Sequence, residues 1–232
     1  MLETNKFSVI NIRRYLNSDN PKLGESRLLQ VLSGFSCPKN PDVERFLKKS
    51  SIEFTKKNQS VTYLVFDVSS MELVGYFTIA LKPLTVRGET VSNTVKKKLM
   101  RVSELDEQSQ TYTMSAYLIA QLGKNFKNGA EKKITGEELL ELAWDIVEKM
   151  QYMGGGMVTF LEAENSERLL SFYQANRFQT CGSRHMSTKG EFVEILVFTH
   201  FARIFKFNRT PGIGKKKEIF HEVKVSVGFE LV

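Results

Sequence analysis

Apolar positions recur with different periods along the chain, and those periods predict most of its elements. The clearest signal lies at residues 134–152. There Leu139, Leu142, Ala143, Ile146, Val147 and Met150 follow the i, i+3, i+4, i+7 spacing of one helical face. Thr135 and Glu138 stand at the T-x-x-E spacing of a capping box, and Gly154-Gly155-Gly156 closes the segment. A second helix is predicted from Pro41 to about Lys57, with Asp42 as its cap. Val43, Phe46, Leu47 and Phe54 form its apolar face, and Ser50 is a gap in that stripe. Residues 8–36 read as helical pieces broken around Ser18–Pro21. A further helix starts at Asn165, as its cap, and runs to about Ala175.

Between the helices lie runs of β-branched and aromatic residues. Val61–Val68 and Leu73–Leu81 read as two strands. The polar link Ser69–Glu72 is too short for a crossover, so the pair is an antiparallel hairpin. Residues 84–112 read as a long polar insertion, whose middle, Val91–Val102, forms a helix carrying Lys96, Lys97 and Lys98. Insertions of that length are often binding loops or lids, and a solvated charged helix is the plain alternative. Met114–Leu122, Met157–Glu162, Phe178–Cys181 and Phe192–His200 complete the strands. The order implies a mixed α/β sheet with a right-handed strand–helix–strand crossover over residues 115–163.

Composition narrows the class. The chain has 232 residues, 41% hydrophobic and 25% charged, as expected of an ordinary globular protein. No apolar run is long enough to span a bilayer, which argues against a membrane protein. Met1–Phe7 lacks the basic and apolar regions of a signal peptide, so a cytoplasmic protein is expected. Cys37 and Cys181 belong to no metal-spaced cluster, so two free thiols and no zinc site are expected. The net charge is +7, and residues 202–232 hold seven basic against three acidic residues. Such a tail contacts nucleic acid or an acidic partner, or is simply solvated. The expected organisation is a helical segment at 1–40 packed on the domain, a main domain at 41–201 and a basic extension at 202–232.

Two places carry candidate chemistry. One is the junction between the strand ending Gly123-Lys124-Asn125 and the helix opening Ile134-Thr135-Gly136-Glu137. A helix start presents unpaired backbone N–H groups and the positive end of its dipole, which suits a phosphate or pyrophosphate. Gly136 lets a ligand approach the backbone, and Lys132 and Lys133 stand just upstream as point charges. Glu137 and Glu138 oppose an anion there if they turn toward it, and a plain capped helix is the alternative. The second place is Phe172-Tyr173, where the phenol either donates a proton to a leaving group or closes the core with its hydroxyl in water.

Six segments taken in order are more specific than any one of them. They are Asp42–Leu47, Thr62–Asp67, Leu73–Ala80, Tyr117–Asn125, Ile134–Leu140, and Asn165 through Phe172-Tyr173. Over roughly residues 42–200 they resemble the GNAT N-acetyltransferases, most of all GNAT proteins of Gram-positive bacteria, and more distantly the GNAT toxins that acetylate aminoacyl-tRNA. The resemblance implies the GNAT acyl-CoA N-acyltransferase fold, a mixed α/β sheet with splayed central strands flanked by helices, and acetyl-CoA as cofactor. It implies that the backbone of Leu122, Gly123 and Lys124 pairs with the cofactor's pantetheine arm and stabilises the oxyanion. Lys132, Lys133, Ile134, Thr135, Gly136 and Glu137 match the pyrophosphate cradle. Asn165 matches an asparagine on the cofactor's arm, Phe172 is counted with the cofactor contacts, and Tyr173 matches the acid that protonates the departing thiolate.

The chain departs from the family pattern twice. Of the cradle Q/R-x-x-G-x-G/A only Gly136 survives, with Glu131 first and Ile134 at the first glycine. Arg177 stands where the family has a glycine before the aromatic that comes after the tyrosine helix. The implied reaction is direct attack of a primary amine, from a small molecule or a protein, with Glu162 as the candidate base. Two other readings stay open: a toxin-like enzyme acting on aminoacyl-tRNA, favoured by Lys96–Lys98 and the basic tail, and a non-catalytic GNAT module, favoured by the eroded cradle. A homodimer is common in the family.

Overall fold

The apolar runs of the chain gather into one sheet with helices on both faces. The structure, a computed structural model, describes residues 6–17, 23–186 and 190–198, the last part from 183 onward as backbone. In chain order the elements are β1 (Phe7–Asn11), α1 (Arg13–Leu16), α2 (Glu25–Ser33), α3 (Pro41–Lys49), α4 (Ser51–Lys56), β2 (Val61–Asp67) and β3 (Leu73–Arg87). Next come α5 (Asn93–Leu99), β4 (Leu105–Asp106), β5 (Thr111–Lys124), α6 (Gly136–Gly154), β6 (Val158–Glu164), α7 (Glu167–Ala175), β7 (Gln179–Met186) and β8 (Gly190–Phe198). The strands pair in the order β1-β2-β3-β5-β6-β8-β7, with β4 added on β5. Every pairing is antiparallel except β5 with β6.

Strand alternation divides the core between the two faces. Tyr63 and Val65 of β2 point to the cluster that holds Leu139, Ala143 and Val147 of α6. Leu64 and Phe66 point the other way, to the cluster of Leu28, Leu32 and Leu47 from α2 and α3. A third cluster, around Leu84, Val86, Val95, Leu99 and Met114, sits under α5 at the outer end of the β3–β5 pair.

Several expectations hold and several need correction. The β2–β3 hairpin forms, and Asp67 fastens its turn by accepting from Ser69 Oγ at 2.6 Å and from the Ser70 N–H at 2.9 Å. The hydrogen bonds from Ser69 and Ser70 hold the Asp67 carboxyl down at about 2. α6 has both halves of the predicted capping box. The start of the chain is not wholly helical: Phe7–Asn11 is an edge strand on β2. Its partner lies more than fifty residues away, so local patterning does not show the pairing. The helix after Pro41 is capped by Asn40, whose Oδ1 accepts from the N–H groups of Asp42 and Val43; Asp42 instead pairs with Arg45 at 2.5 Å. That helix breaks in two at Ser50. The polar insertion at 84–112 is strand at its two ends, because β3 runs on to Arg87 and β5 begins at Thr111, while its middle forms the expected helix, α5. Asn165 does not cap α7; Ser166 does, its Oγ accepting from the Leu169 N–H at 3.4 Å.

Cys37 and Cys181 are both buried and in no disulfide, and burial pushes the Cys37 thiol up. Among the described residues no helix is long and apolar enough to cross a membrane. The basic segment 202–232 lies outside the described residues.

Candidate active site at the parted strands

β5 and β6 run parallel but share a ladder at two positions, Tyr117 with Thr159 and Leu118 with Phe160. Beyond them the ladder stops. The cause is visible on the other side of β5. Ile119 pairs with Ile79 and Gln121 with Thr78, which leaves Ala120 as an extra residue, a bulge. A bulge bends its strand and reverses the parity of the residues beyond it. Ile119 and Leu122 therefore both belong to the cluster under α6, although they are three residues apart. The end of β5 stays bound to β3, with Leu122, Gly123 and Lys124 opposite Phe77, Tyr76 and Gly75. Its opposite edge has no ladder to β6 beyond Leu118.

Gly123 is where two layers touch. A Cβ there would lie 2.5 Å from Val43 Cγ1 of α3 and 3.2 Å from the Tyr76 ring. The close approach lets the Tyr76 hydroxyl donate to the Val43 carbonyl at 2.6 Å, and burial raises that phenol well above its ordinary range. The next residue, Lys124, is half-buried. Burial lowers its pKa, and Lys39 works the same way, while Glu131 and Glu138 oppose the shift.

Asn125 locks the strand end in place. Its Oδ1 accepts from the N–H groups of Ser36 (2.9 Å) and Lys127 (3.0 Å). Its Nδ2 donates to the carbonyls of Leu73 (2.7 Å) and Gly34 (3.1 Å). Four bonds to three chain segments make this the clasp between the β5 end, the start of β3 and the loop after α2. Sequence reasoning placed Asn125 at the end of the strand and did not see this role. A lone Asn after Gly-Lys carries no local sign of three distant partners.

The loop from Lys127 to Lys132 is a 3₁₀ turn in which Asn128 and Gly129 take left-handed conformations, φ 56° and 77°. Lys132 is exposed. Lys133 turns away to the β2–β3 hairpin, donating to Ser70 Oγ at 2.8 Å and pairing with Glu72. Ile134 is a core residue. Thr135 caps α6, its Oγ1 accepting from the Glu138 N–H at 3.0 Å, while Glu138 Oε2 accepts from the Thr135 N–H at 2.7 Å. Lys6 neutralises Glu138 from outside at 2.7 Å. Glu137 is exposed. One Glu131 carboxylate oxygen is buried without a hydrogen-bond partner.

Gly136 brings α7 against the start of α6: a Cβ on it would stand 3.4 Å from the Phe172 ring. Phe172 meets Tyr173 edge-on at 5.1 Å, Tyr173 meets Phe178 at 5.5 Å, and Phe178 meets Trp144 at 5.5 Å. Burial in this aromatic nest pushes the Tyr173 phenol up to about 12. The turn that ends α7 forms with Arg177 in the left-handed region, φ 71°, and the Phe178 N–H donates to the Tyr173 carbonyl at 3.0 Å. A residue other than glycine in that region costs of order 1–3 kcal/mol.

The structure thus gathers Leu122, Ile134, Gly136, Phe172 and Tyr173 on the α6 face of the parting strands. Glu162 is on the other face. Leu161 and Ala163 belong to the α6 cluster and Phe160 to the opposite one, so alternation puts Glu162 with Phe160. Asn165 is exposed just past β6.

No family model and no curated protein matches the chain. Solved structures do. A structure described as a bacterial toxin matches with 17% identity over 83% of this chain and 90% of its own, TM-score 0.55. AtaT complexed with acetyl-methionyl-tRNAfMet matches with 13% identity over 87% of this chain and 98% of its own, TM-score 0.55. AtaTR bound with AcCoA matches with 14% identity over 82% and 94%, TM-score 0.50. The chain has the fold of these proteins, the GNAT acyltransferase fold.

Proposed function

We propose that this chain is an N-acetyltransferase that passes an acetyl group from acetyl-CoA to a primary amine. The observation that carries the reading is the two-residue β5–β6 ladder, which leaves a wedge bordered by the first turn of α6 and by Phe172 and Tyr173. The residues present suit this donor. An unpaired strand edge accepts an extended arm as it would another strand. The N–H groups at the start of α6 have no carbonyl four residues back within the helix and suit a pyrophosphate. AtaTR, of the same fold, was solved with AcCoA.

Acetyl-CoA supplies the acetyl group as a thioester. The backbone at Leu122–Lys124 holds the carbonyl oxygen as charge builds on it. Glu162, on the face turned away from α6, takes the proton that the amine gives up as the C–N bond forms. Tyr173 donates to the sulfur as the C–S bond breaks. A phenol near 12 keeps its proton at every physiological pH, so the donor is always loaded. Lys133 is drawn to Glu72, while Lys132 is exposed and Lys124 half-buried, and we assign the phosphates to these two.

Calorimetry tests the donor site: a Kd near micromolar, about −8 kcal/mol, is expected for acetyl-CoA. Absence of binding removes the reading. Thiol release with a panel of amines then tests the acid. Tyr173→Phe should lower kcat by about 10²–10⁴-fold with donor affinity unchanged. Full activity in that variant removes Tyr173 from the scheme.

Among acceptors, aminoacyl-tRNA has a specific observation in its favour. α5 presents Lys96, Lys97 and Lys98 beside the outer sheet, and AtaT was solved with an acetylated aminoacyl-tRNA. A steep fall of affinity with salt, at a slope near −0.7 to −0.9 per phosphate contact, supports this acceptor; salt-independent turnover of a small amine supports the first. We place the enzyme in the cytoplasm, among bacterial GNAT proteins of Gram-positive type; the similar toxin is itself described as bacterial.

A further inference from the structure

The start of α6 is partly occupied by the protein's own carboxylate. Four N–H groups open this helix, those of Thr135, Gly136, Glu137 and Glu138, and none has a carbonyl four residues back within it. Two of the four are already used. The Glu138 N–H donates to Thr135 Oγ1 at 3.0 Å, and the Thr135 N–H donates to Glu138 Oε2 at 2.7 Å. The first partner is a neutral hydroxyl. The second is a negative charge, and it lies on a backbone donor of the segment to which the pyrophosphate is assigned.

The same carboxylate has a partner outside. Its Oε1 accepts from Lys6 Nζ at 2.7 Å, and the Glu138 side chain is 33% exposed. Lys6 directly precedes β1, which the ladder with β2 fixes from Phe7 onward. One oxygen thus faces the helix start and the other faces a cation at the sheet edge. Glu138 also acts on Lys124: together with Glu131 it opposes the downward shift that burial imposes on that ammonium. The carboxylate therefore stands among the groups assigned to the phosphates. A phosphate oxygen and a carboxylate oxygen compete for a single N–H, and like charges at such distances repel, more strongly at a protein surface than in bulk water.

We propose that Glu138 gates the donor site: its carboxylate competes with the pyrophosphate of acetyl-CoA for the Thr135 N–H and gives up that N–H when the donor binds. The proposal rests on the donor reading above and adds to it a residue that sets donor affinity. Lys6 keeps its hold on Oε1 throughout, so the displaced charge stays compensated, and only hydrogen bonds change. The sign of the effect separates a gate from a plain cap. If Glu138 served the capping box alone, its neutral isostere would leave donor affinity unchanged or lower it. A gate predicts a gain.

The test is calorimetry of acetyl-CoA with the full chain and with two variants, Glu138→Gln and Lys6→Met. Glutamine also serves at this position of a capping box, so the first variant removes the charge and keeps the acceptor. Its Kd should fall about fivefold or more, and the gain should shrink as added salt screens the charge. Lys6→Met leaves the capping box intact and removes the outer partner, so its Kd should rise. A thermal midpoint within a few degrees of the parent certifies each fold. Should Glu138→Gln fail that check, Lys6→Met decides, and parent-like affinity there overturns the gate. Equal or weaker binding by a folded Glu138→Gln, with the parent binding, overturns the gate and leaves the donor reading standing. Binding by Glu138→Gln and not by the parent supports it. Binding by neither overturns the donor reading, and the gate with it.

Discussion

The two halves of β3 differ, within one strand, in both their pairing and their cover. From Leu73 to Ala80 every residue is buried; from Leu81 to Arg87 only Leu84 and Val86 are. Both halves hold the same antiparallel ladder with β5. The inner half lies between α6 on one face and α2 and α3 on the other, while the outer half buries Leu84 and Val86 in one cluster with α5 and Cys181 and leaves its other side chains exposed. The inner half also pairs with β2, from Leu73 to Ile79, so it is held on both edges as well as on both faces. Each large side chain buried in the inner half contributes about 1.5–3 kcal/mol, and the exposed Leu81, Pro83, Thr85 and Arg87 contribute little. The candidate site borders the inner half, where side chains are held on all sides. The outer arm is where sequence can change at low cost.

Asn125 is the place to break this contrast hardest. It ties the inner end of β3 to β5 and to the loop after α2 through four hydrogen bonds. Asn125→Asp keeps the shape and replaces the amide nitrogen with an oxygen facing the Leu73 and Gly34 carbonyls. Two carbonyls then lose their donor and a charge is buried against them, for about 3 kcal/mol or more. Urea unfolding should show the midpoint fall with an unchanged slope. A loss under 1 kcal/mol would mean the clasp is redundant. Gly123→Ala ranks next. The new methyl meets Val43 Cγ1 at 2.5 Å, so α3 must shift, for about 1–3 kcal/mol. Acetyl-CoA affinity should fall with it, because the shift is felt along the proposed arm.

How much of the molecule was legible before the fold was known depends on the range of the interaction. α6 was legible because its stripe and its capping box are both local, within four residues. So was the β2–β3 hairpin. β1 was not, since Phe7–Asn11 becomes a strand only by pairing with β2. The strand ends of the insertion, 84–87 and 111–112, were not legible as strand because Thr85, Arg87 and Thr111 are polar. The alternation of Leu84 and Val86 against them was nevertheless the signature of a one-faced strand. At α7 two good caps stand side by side, Asn165 and Ser166, and propensity does not choose between them. The site was legible as a set of segments in order, through the family resemblance. Its geometry was not: the Ala120 bulge has no composition signal, and Lys133 finds its partner 61 residues away.

The smallest effects give the sharpest form of the comparison, because β3 carries the same interaction twice. Thr78 pairs with Thr62 by hydroxyl contact at 2.8 Å in the buried half, and Thr85 pairs with Thr113 at 2.9 Å in the exposed half. Valine keeps the shape of threonine and its β-branch, so each substitution removes little besides the hydroxyl. Thr78→Val strands the Thr62 hydroxyl, which is fully buried, and should cost about 1–3 kcal/mol. Thr85→Val leaves Thr113 facing water, which replaces the lost partner, so the change should stay within about 0.5 kcal/mol. Paired urea or thermal unfolding of the two variants reads the difference directly. Equal costs would show that the ladder, and not burial, sets the value of a cross-strand hydroxyl pair here. A cost confined to Thr78 would confirm that the two halves of one strand differ by what covers them.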